Sequence, residues 1–441
     1  MKKRWLRAVV VLLAEIGVLA AVVWAVSRDA APPDETEFAA ERPEVAPADN
    51  AFTYFLEATN LLVETTNAQL VADFLAGKAA NGEELRELVE RNAVCLARVK
   101  RGTECAICLA PPVETIDTLT PYVNPWLQMQ QVLEARSRLA RLDGRFEDSA
   151  DDLAMGLRFG DLVQKDASCL ITYLVGVAIF SSSAESAMEM ARDPAAPAEA
   201  LARLAAELET MGRFDGGLIE ALKAEHRTTC NIVDGFQNRL GEVIPVGFSD
   251  LKDGKRLLAR MQRYPYCFQP NRTKQKIAEA HRRLIANATR IYADMEPDEG
   301  EDDELDRLDF LRPNVFGKYL ISIIVPGLDK TLEVKCRTDG ILAGAKLTVA
   351  CNRFARDKGR FPETLAELVP EYLGEVPRDP YDGAPFRYSA DKELAWAVGT
   401  NLTDEGGSMR VPGVEDAFAA NRNRHKAEDF VFELKAPEKA E

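Results

Sequence analysis

The first 26 residues constrain this chain more than any other segment, because their composition suits a bilayer. A basic start, MKKR, precedes a run from Ala8 to Val26 whose only charged residue is Glu15. As a helix this run would be roughly 28 Å long, close to the thickness of the hydrocarbon layer of a membrane. The sequence therefore predicts a transmembrane anchor at 1–26, with its basic flank in the cytoplasm and the rest of the chain outside it.

A cleaved signal peptide is the alternative for the same segment. Ala25, Val26 and Ser27 offer a small-residue cleavage site, but the apolar run is longer than in most signal peptides. An uncleaved, single-pass anchor is therefore favoured. Glu15 is either a neutral acid within the membrane or a contact with a second membrane helix.

The charge of the chain argues against nucleic acid as a partner. Its 71 acidic and 55 basic residues give a formal net charge of −16, and such a surface repels phosphate groups. The short basic runs, such as the one at Arg282 and Arg283, stand among acidic residues. All eight cysteines follow the anchor, on the side where disulfides can persist.

Beyond the anchor, composition divides the chain into four parts. Residues 27–49 are rich in Ala, Pro, Asp and Glu without periodicity, which predicts a flexible stalk. Residues 50–293 carry apolar residues at helical spacing and predict an all-helical domain. Residues 294–311 are predominantly acidic and predict a solvated linker. Residues 312–441 are expected to form a C-terminal α+β domain.

Local signals place the helices of the all-helical part. Asn50 is a candidate N-cap for its first helix, and a second helix is expected from about Glu83 to Val99. A helical hairpin is expected to turn at Asp143-Gly144. The apolar run from Cys169 to Phe180 is too short to cross a bilayer and predicts a buried central helix.

The C-terminal part combines a long helix with a small sheet. A short helix is expected within Arg312–Gly327, and a long one from about Leu328 to Lys358, ending at Gly359. A turn region rich in Pro, Asp and Gly follows, and then three strands are expected, at 385–389, 394–398 and 429–434. A helix and an antiparallel sheet can bury one face of each against the other. The predicted fold class is thus mainly α, with a small α+β domain at the C-terminus.

The turn region carries a distinctive set of residues: Phe361-Pro362, Leu365, Leu368, Tyr372-Leu373, Pro377, Asp379-Pro380, Gly383 and Tyr388. This pattern resembles the globular head of type II secretion pseudopilins. The stretch from Ala395 to Gly407 is similar to the glycine- and aspartate-rich loop of that head, and EDFVFEL to its closing segment. The whole chain resembles a family of bacterial membrane-anchored envelope proteins. That resemblance implies the bacterial inner membrane as its location, and it implies no activity.

The resemblance to pseudopilin heads also implies a calcium site. In some of these heads the aspartate loop binds calcium, and the matching residues here are Asp404, Glu405 and Asp429. Oxygen ligands from two segments could fix the loop around such an ion. A polar hairpin tip without an ion is the alternative, and no other cofactor is implied.

Five cysteines are candidates for disulfides or reactive thiols: Cys95, Cys105, Cys108, Cys230 and Cys267. The spacing of Cys105 and Cys108 is typical of redox and zinc sites, although no strand precedes it and zinc would need two more ligands. His226 and Cys230, four residues apart, form one further pair of ligands, but nothing in the sequence brings them to Cys105. Structural disulfides, such as Cys230 with Cys267, or buried free thiols are favoured.

No nucleophile elbow, phosphate-binding glycine loop or HExxH motif occurs in the sequence. The sequence therefore favours an extracytoplasmic binding or scaffolding protein, held by its membrane helix, with a protein partner of unknown identity. Two alternatives stay open. One is a type II secretion-like, pilus-associated subunit; the other is a metal- or thiol-dependent envelope enzyme that uses Cys105, Cys108, His226 and Cys230.

Overall fold

The structure, a computed structural model, describes most of the chain: residues 2–39, 42–63, 68–78, 82–113, 120–238, 264–297, 312–412 and 427–435. Within these residues the chain forms twelve α-helices and one three-stranded antiparallel sheet. The prediction of a mainly helical fold with a small sheet near the C-terminus is confirmed.

The first helix, α1 (Lys2–Val26), presents its apolar side chains to the outside. Leu13 and Leu19 are more than half exposed, and none of the stretch Val9–Val26 is buried inside the protein. The hydrophobic effect disfavours such exposure in water. The helix is long and apolar enough to span a membrane.

Four short helices begin the helical body: α2 (Ala51–Leu61), α3 (Ala68–Leu75), α4 (Gly82–Arg91) and α5 (Ala93–Thr103). Asn50 caps α2 as predicted, since its side chain accepts a hydrogen bond from the Phe52 N–H. The single helix predicted at Glu83–Val99 is wrong. The chain breaks at Asn92, whose buried side chain forms hydrogen bonds to the backbone of Val63 and so fixes the junction.

The next two helices, α6 (Val123–Leu142) and α7 (Phe146–Lys165), form the predicted hairpin. Gly144 adopts a φ of +74°, the left-handed conformation that glycine reaches without strain, and this reverses the chain. Across the hairpin the hydroxyls of Ser137 and Ser149 lie 2.7 Å apart, inside the interface.

The helices that follow are α8 (Leu170–Arg192), α9 (Ala198–Glu209) and α10 (Asp215–Asn238). Helix α8 is also long and apolar enough to cross a membrane, but 56% of it is buried inside the protein. It touches α7 backbone to backbone, because a Cβ at Gly160 would lie 2.4 Å from the Phe180 nitrogen. The central core helix predicted for this apolar run is therefore present.

Two further helices are α11 (Pro270–Ala288) and α12 (Val315–Lys358). The sequence predicted a break between two helices near 327, and this is wrong, because α12 is continuous. Its first turns pack Phe316 edge-on against Phe236 and Phe268, and its later turns lie in the main core. Packing on both sides of the break point overrides the weak local preference for a helix end.

The three strands are β1 (Arg387–Ser389), β2 (Leu394–Val398) and β3 (Asp429–Glu433), and they form an antiparallel sheet in that order. All three coincide with predicted strands. The sheet lies close to α12, because a Cβ at Gly344 would fall 2.3 Å from the ring of Phe432.

One hydrophobic core extends across the predicted domain boundary. It includes Leu204 of α9, Leu284 of α11, Leu347 of α12 and Phe432 of β3. The helix and sheet predicted as a C-terminal domain at 312–441 therefore share their core with helices of the part at 50–293. Most of the linker predicted at 294–311 lies outside the described residues, and the division into domains stays a prediction.

Residues 27–38, which we call the strap, lie along α11. The flexible stalk predicted at 27–49 is wrong for this stretch. The Asp29 carboxylate accepts hydrogen bonds from the N–H groups of Asn271 and Arg272, at 2.8 and 3.0 Å, in the first turn of α11. At the other end of the strap, Phe38 is only 1% exposed. Helix capping and one buried ring thus hold a segment whose composition alone favours disorder.

Candidate functional site

All eight cysteines are free thiols. Of the two alternatives that the sequence favoured, this arrangement agrees with buried free thiols and not with structural disulfides such as Cys230 with Cys267. Seven are buried and Cys105 is partly exposed. Burial raises the pKa of the Cys95 thiol to about 11 and that of the Cys351 thiol to about 12. Thiols in such surroundings stay protonated at neutral pH and are poor nucleophiles.

The three cysteines of the enzyme alternative lie in two different hydrophobic clusters. Cys105 and Cys108 pack in the cluster that contains Trp126, whereas Cys230 belongs to the cluster that contains Phe316. Burial also raises the pKa of the Cys108 thiol. The structure brings His226 and Cys230 together, and it does not add the Cys105-x-x-Cys108 pair to them.

His226 and Cys230 lie one turn apart on α10, and the strap adds a carboxylate to them. The His226 Nε2 and the Cys230 Sγ are 3.6 Å apart. One ligand atom each from Glu35, His226 and Cys230 lie within 4.8 Å of one another. In the described part of the chain, this is the one group of three His, Cys, Asp or Glu side chains close enough to share a metal ion.

Aromatic rings enclose the His226 side of this group. Phe38 of the strap stacks on the His226 ring with centroids 3.7 Å apart, and His281 of α11 meets it edge-on at 5.2 Å. His281 Nδ1 lies 2.9 Å from the Ile277 carbonyl, the arrangement of a donor, which leaves Nε2 without a hydrogen. Neither that Nε2 nor the Nδ1 of His226 has a hydrogen-bond partner among the described residues. Buried nitrogens without partners are unusual in native proteins and mark this pocket as a candidate site.

Burial sets the charge of the group. It lowers the pKa of His226 to about 3, and nearby positive charge on Arg282 acts in the same direction. Burial also lowers the pKa of His281. The pKa of the Cys230 thiol is raised, first by burial and then by the Glu35 carboxylate. At neutral pH the site therefore holds two neutral imidazoles and a protonated thiol, next to the exposed side chain of Glu35.

The aspartate loop, the second candidate, is organised by Asp429. Its buried carboxylate accepts hydrogen bonds from three successive parts of the loop backbone: the N–H groups of Glu405 at 3.4 Å, Gly407 at 2.9 Å and Ser408 at 2.9 Å. Asp404 accepts from the indole of Trp396 at 2.9 Å. The exposed Glu405 side chain accepts from Asn401.

A positive side chain already joins the acidic residues around this loop. The Arg387 guanidinium pairs with Asp379 and Asp382 and lies 3.5 Å from Asp404. Asp379 is fully buried, and burial raises the pKa of its carboxyl to about 6. Because N–H donors and a guanidinium surround these carboxylates, the residues predicted for calcium fit a cation poorly in this arrangement.

Sequence reasoning missed three residues that matter here: Glu35, Phe38 and Arg387. The one signal for the strap was Phe38, a lone aromatic residue within a stretch of Ala, Pro and acidic residues. Arg387 lies between two residues of the pseudopilin-like pattern, Gly383 and Tyr388, but nothing in the pattern assigns it a role.

No family model matches the chain, and no curated protein or solved structure is similar to it at a significant level. The resemblance to pseudopilin heads stays a prediction. The function has to be argued from the residues themselves.

Proposed function

We propose that this protein is a membrane-tethered binding or scaffolding protein, with its helical body on the outer face of the bacterial inner membrane. The proposal rests on a hydrogen bond that connects the apolar helix α1 directly to the helical body. The side chain of Gln269, just before α11, donates a hydrogen bond to the carbonyl of Val26, the last residue of α1, at 2.7 Å. The strap continues from there along α11. A body fastened in this way would sit at the membrane surface at a fixed distance.

The charges around α1 support the orientation. Lys2, Lys3 and Arg4 precede the apolar run, and Asp29 and other acidic residues follow it. Basic flanks are retained in the cytoplasm, so this asymmetry favours export of the chain that follows α1.

The state of the thiols favours binding over covalent chemistry. Seven cysteines are buried, and burial raises the pKa of thiols such as those of Cys95 and Cys351. Burial also raises the pKa of Cys105, the partly exposed one. A thiol enzyme needs an accessible thiolate, which a neighbouring base or positive charge normally provides.

The location can be tested with reporter fusions to the C-terminus of the full chain. Alkaline phosphatase, which folds only outside the cytoplasm, should be active, and green fluorescent protein, exported by the same route, should be dark. The membrane fraction should retain the protein after carbonate extraction. Removal of residues 8–26 should release it into the soluble fraction. A fluorescent C-terminal fusion or a soluble full-length protein would contradict the proposal.

Thiol reactivity tests binding against the enzyme alternative. Under native conditions a small alkylating reagent should modify Cys105 alone, and a Cys105→Ser variant should remain unlabelled. Unfolding in urea should expose all eight thiols. Rapid native labelling of a second cysteine would favour thiol chemistry over scaffolding.

The pilus-subunit alternative predicts a processed N-terminus. Mass spectrometry of the protein purified from membranes should give the full-length mass if it is an uncleaved anchor. A mature chain that starts shortly before Glu15 would support processing by a leader peptidase, and with it the alternative.

A further inference from the structure

We propose that Glu35, His226 and Cys230 form a binding site for a borderline divalent metal ion of the zinc class, which fastens the strap to helix α10. This inference goes beyond scaffolding, because it assigns a ligand and a structural switch to the segment that joins the body to the membrane helix. It stands on geometry, on the chemistry of the three donors and on the unused bonding capacity of the pocket.

The spacing of the two ligands on α10 fits a tetrahedral ion. Bonds of about 2.3 Å to sulfur and 2.05 Å to nitrogen, at a tetrahedral angle, place those atoms about 3.6 Å apart. The His226 Nε2 and the Cys230 Sγ are 3.6 Å apart. The ligand atom of Glu35 lies within 4.8 Å of both, so a small rotation of this exposed side chain would complete three corners.

The donor set selects the kind of metal. One imidazole nitrogen, one thiolate sulfur and one carboxylate oxygen suit zinc and its neighbours, whereas calcium and magnesium prefer oxygen alone. Three protein ligands leave a fourth position for water or a partner's side chain. On binding, Cys230 loses its proton to solvent and the sulfur bonds to the ion, so each ion bound releases one proton and affinity rises with pH.

The pocket has bonding capacity that the protein does not use. His226 is completely buried, and the partner of its Nε2 is the weakly bonding thiol of Cys230, 3.6 Å away. Metal coordination would satisfy the buried Nε2 far better than a thiol does. Glu35, by contrast, is exposed and gives an ion access from solvent.

The cations near the site are already paired and hold the strap in place. Arg282 pairs with Glu37 at 2.6 Å and Arg227 donates to the Phe38 carbonyl at 2.7 Å. On the other side, Lys274 pairs with Asp234 at 2.6 Å. These contacts hold Glu35 opposite α10 before any ion arrives. The strap is therefore already ordered, and the entropic cost of metal binding is smaller.

The experiment uses the full chain in detergent micelles, stripped of metal by a chelator and then titrated with Co²⁺ and Zn²⁺. Cobalt should bind at one equivalent and give a thiolate charge-transfer band in the near ultraviolet together with the visible bands of a tetrahedral ion. Zinc should displace it. Binding should release protons and should slow tryptic cleavage at Arg28. Absence of the thiolate band would overturn the proposal.

Variants separate the ligands from their surroundings. Cys230→Ser and His226→Gln should each weaken zinc binding by more than about 100-fold, since loss of residues that merely support a ligand costs about 10–100-fold. Glu35→Gln should weaken it about tenfold or more and abolish protection of the strap. Glu279→Gln, at an exposed position of α11, and Cys267→Ser should leave affinity within about twofold.

Each variant has a result that would count against the assignment. Because Cys230 and His226 are buried, their variants could fail to fold, so the exposed Glu35→Gln variant provides the test that does not disturb the core. If it binds zinc as tightly as the unaltered protein, the strap is not a ligand and the proposed fastening is wrong. If Cys267→Ser loses the thiolate band instead, the sulfur ligand is misassigned.

Discussion

The pocket beneath the strap, formed by Glu35, Phe38, His226, Cys230 and His281, and the aspartate loop both contain buried polar side chains. They differ in how much of the hydrogen-bonding capacity of those side chains the protein itself uses. In the loop, Asp429 accepts three backbone N–H groups, and Arg387 is shared by three carboxylates. In the pocket, the Nε2 of the buried His226 has the weakly bonding Cys230 thiol as its partner, 3.6 Å away. The loop is therefore complete as a structural element, while the pocket has capacity left for a ligand.

This difference shows why a cluster of acidic residues is weak support for a cation site. Buried carboxylates must be paired or hydrogen-bonded, and a protein can supply those partners from its own backbone and guanidinium groups. The residues with unused bonding capacity were found at the other site, where the sequence predicted a flexible segment.

The largest effect is expected from removing the positive charge of the loop. Arg387→Met should lower the free energy of unfolding by about 3–5 kcal/mol at pH 7.5, because it leaves the buried Asp379 without its counter-charge. Urea denaturation measures this. The matched control is Arg410→Met, whose exposed pair with Glu428 should contribute less than about 1 kcal/mol. If both variants lose the same free energy of unfolding, Arg387 does not stabilise the buried carboxylate, and the loop is not better satisfied than the pocket.

The next effect concerns the ring that holds the strap. Phe38→Ala should destabilise the docked strap by about 3 kcal/mol, because it removes a fully buried ring stacked on His226. Faster trypsin cleavage at Arg28 would report this. Leu142→Ala, at a mostly exposed position, should leave cleavage unchanged. If cleavage is equally slow in all three proteins, the ring is not what docks the strap.

The third prediction concerns Asp379, the partner of Arg387 beside the loop, and the pH dependence of the free energy of unfolding. The folded pKa of Asp379 is about 6 against an ordinary value of 3.8, so the folded state binds more protons between these values. Stability from this group is thus full below about pH 4 and is lost as pH rises through 6, by up to about 3 kcal/mol. Asp379→Asn should remove that component when its denaturation curves at pH 4 and pH 7 are compared with those of the unaltered protein. An identical pH profile would mean that Arg387 keeps Asp379 ionised throughout.

The smallest effect is expected from calcium, and it tests directly whether the loop, unlike the pocket, has no room for a cation. Millimolar calcium, or its removal by a chelator, should shift the melting temperature by less than about 1 °C, because Asp404, Glu405 and Asp429 already have protein partners. Differential scanning calorimetry with magnesium as the control measures this. A calcium-specific rise of several degrees would show that the loop rearranges to bind the ion.

Features set by neighbouring residues were predictable. Asn50 caps α2, Gly144 turns the hairpin, and the three strands lie where alternation and turn residues placed them. Two of the three candidate ligands were also predictable, because His226 and Cys230 are one helical turn apart and a helix places such residues on one face. Glu35 was not predictable, since its distance from them depends on how the strap docks.

The sequence by itself determined the apolar N-terminal helix, the helical body, the small sheet and the pairing of His226 with Cys230 on one face of α10. Capping, periodicity and turn chemistry act over a few residues, so a local pattern contains them. The tertiary structure alone decided three things: the continuity of α12 through 327, the core shared across the predicted boundary, and the approach of Glu35 to His226. Each depends on contacts between segments far apart in the chain. Burial and packing determine such contacts, and a local pattern does not contain them.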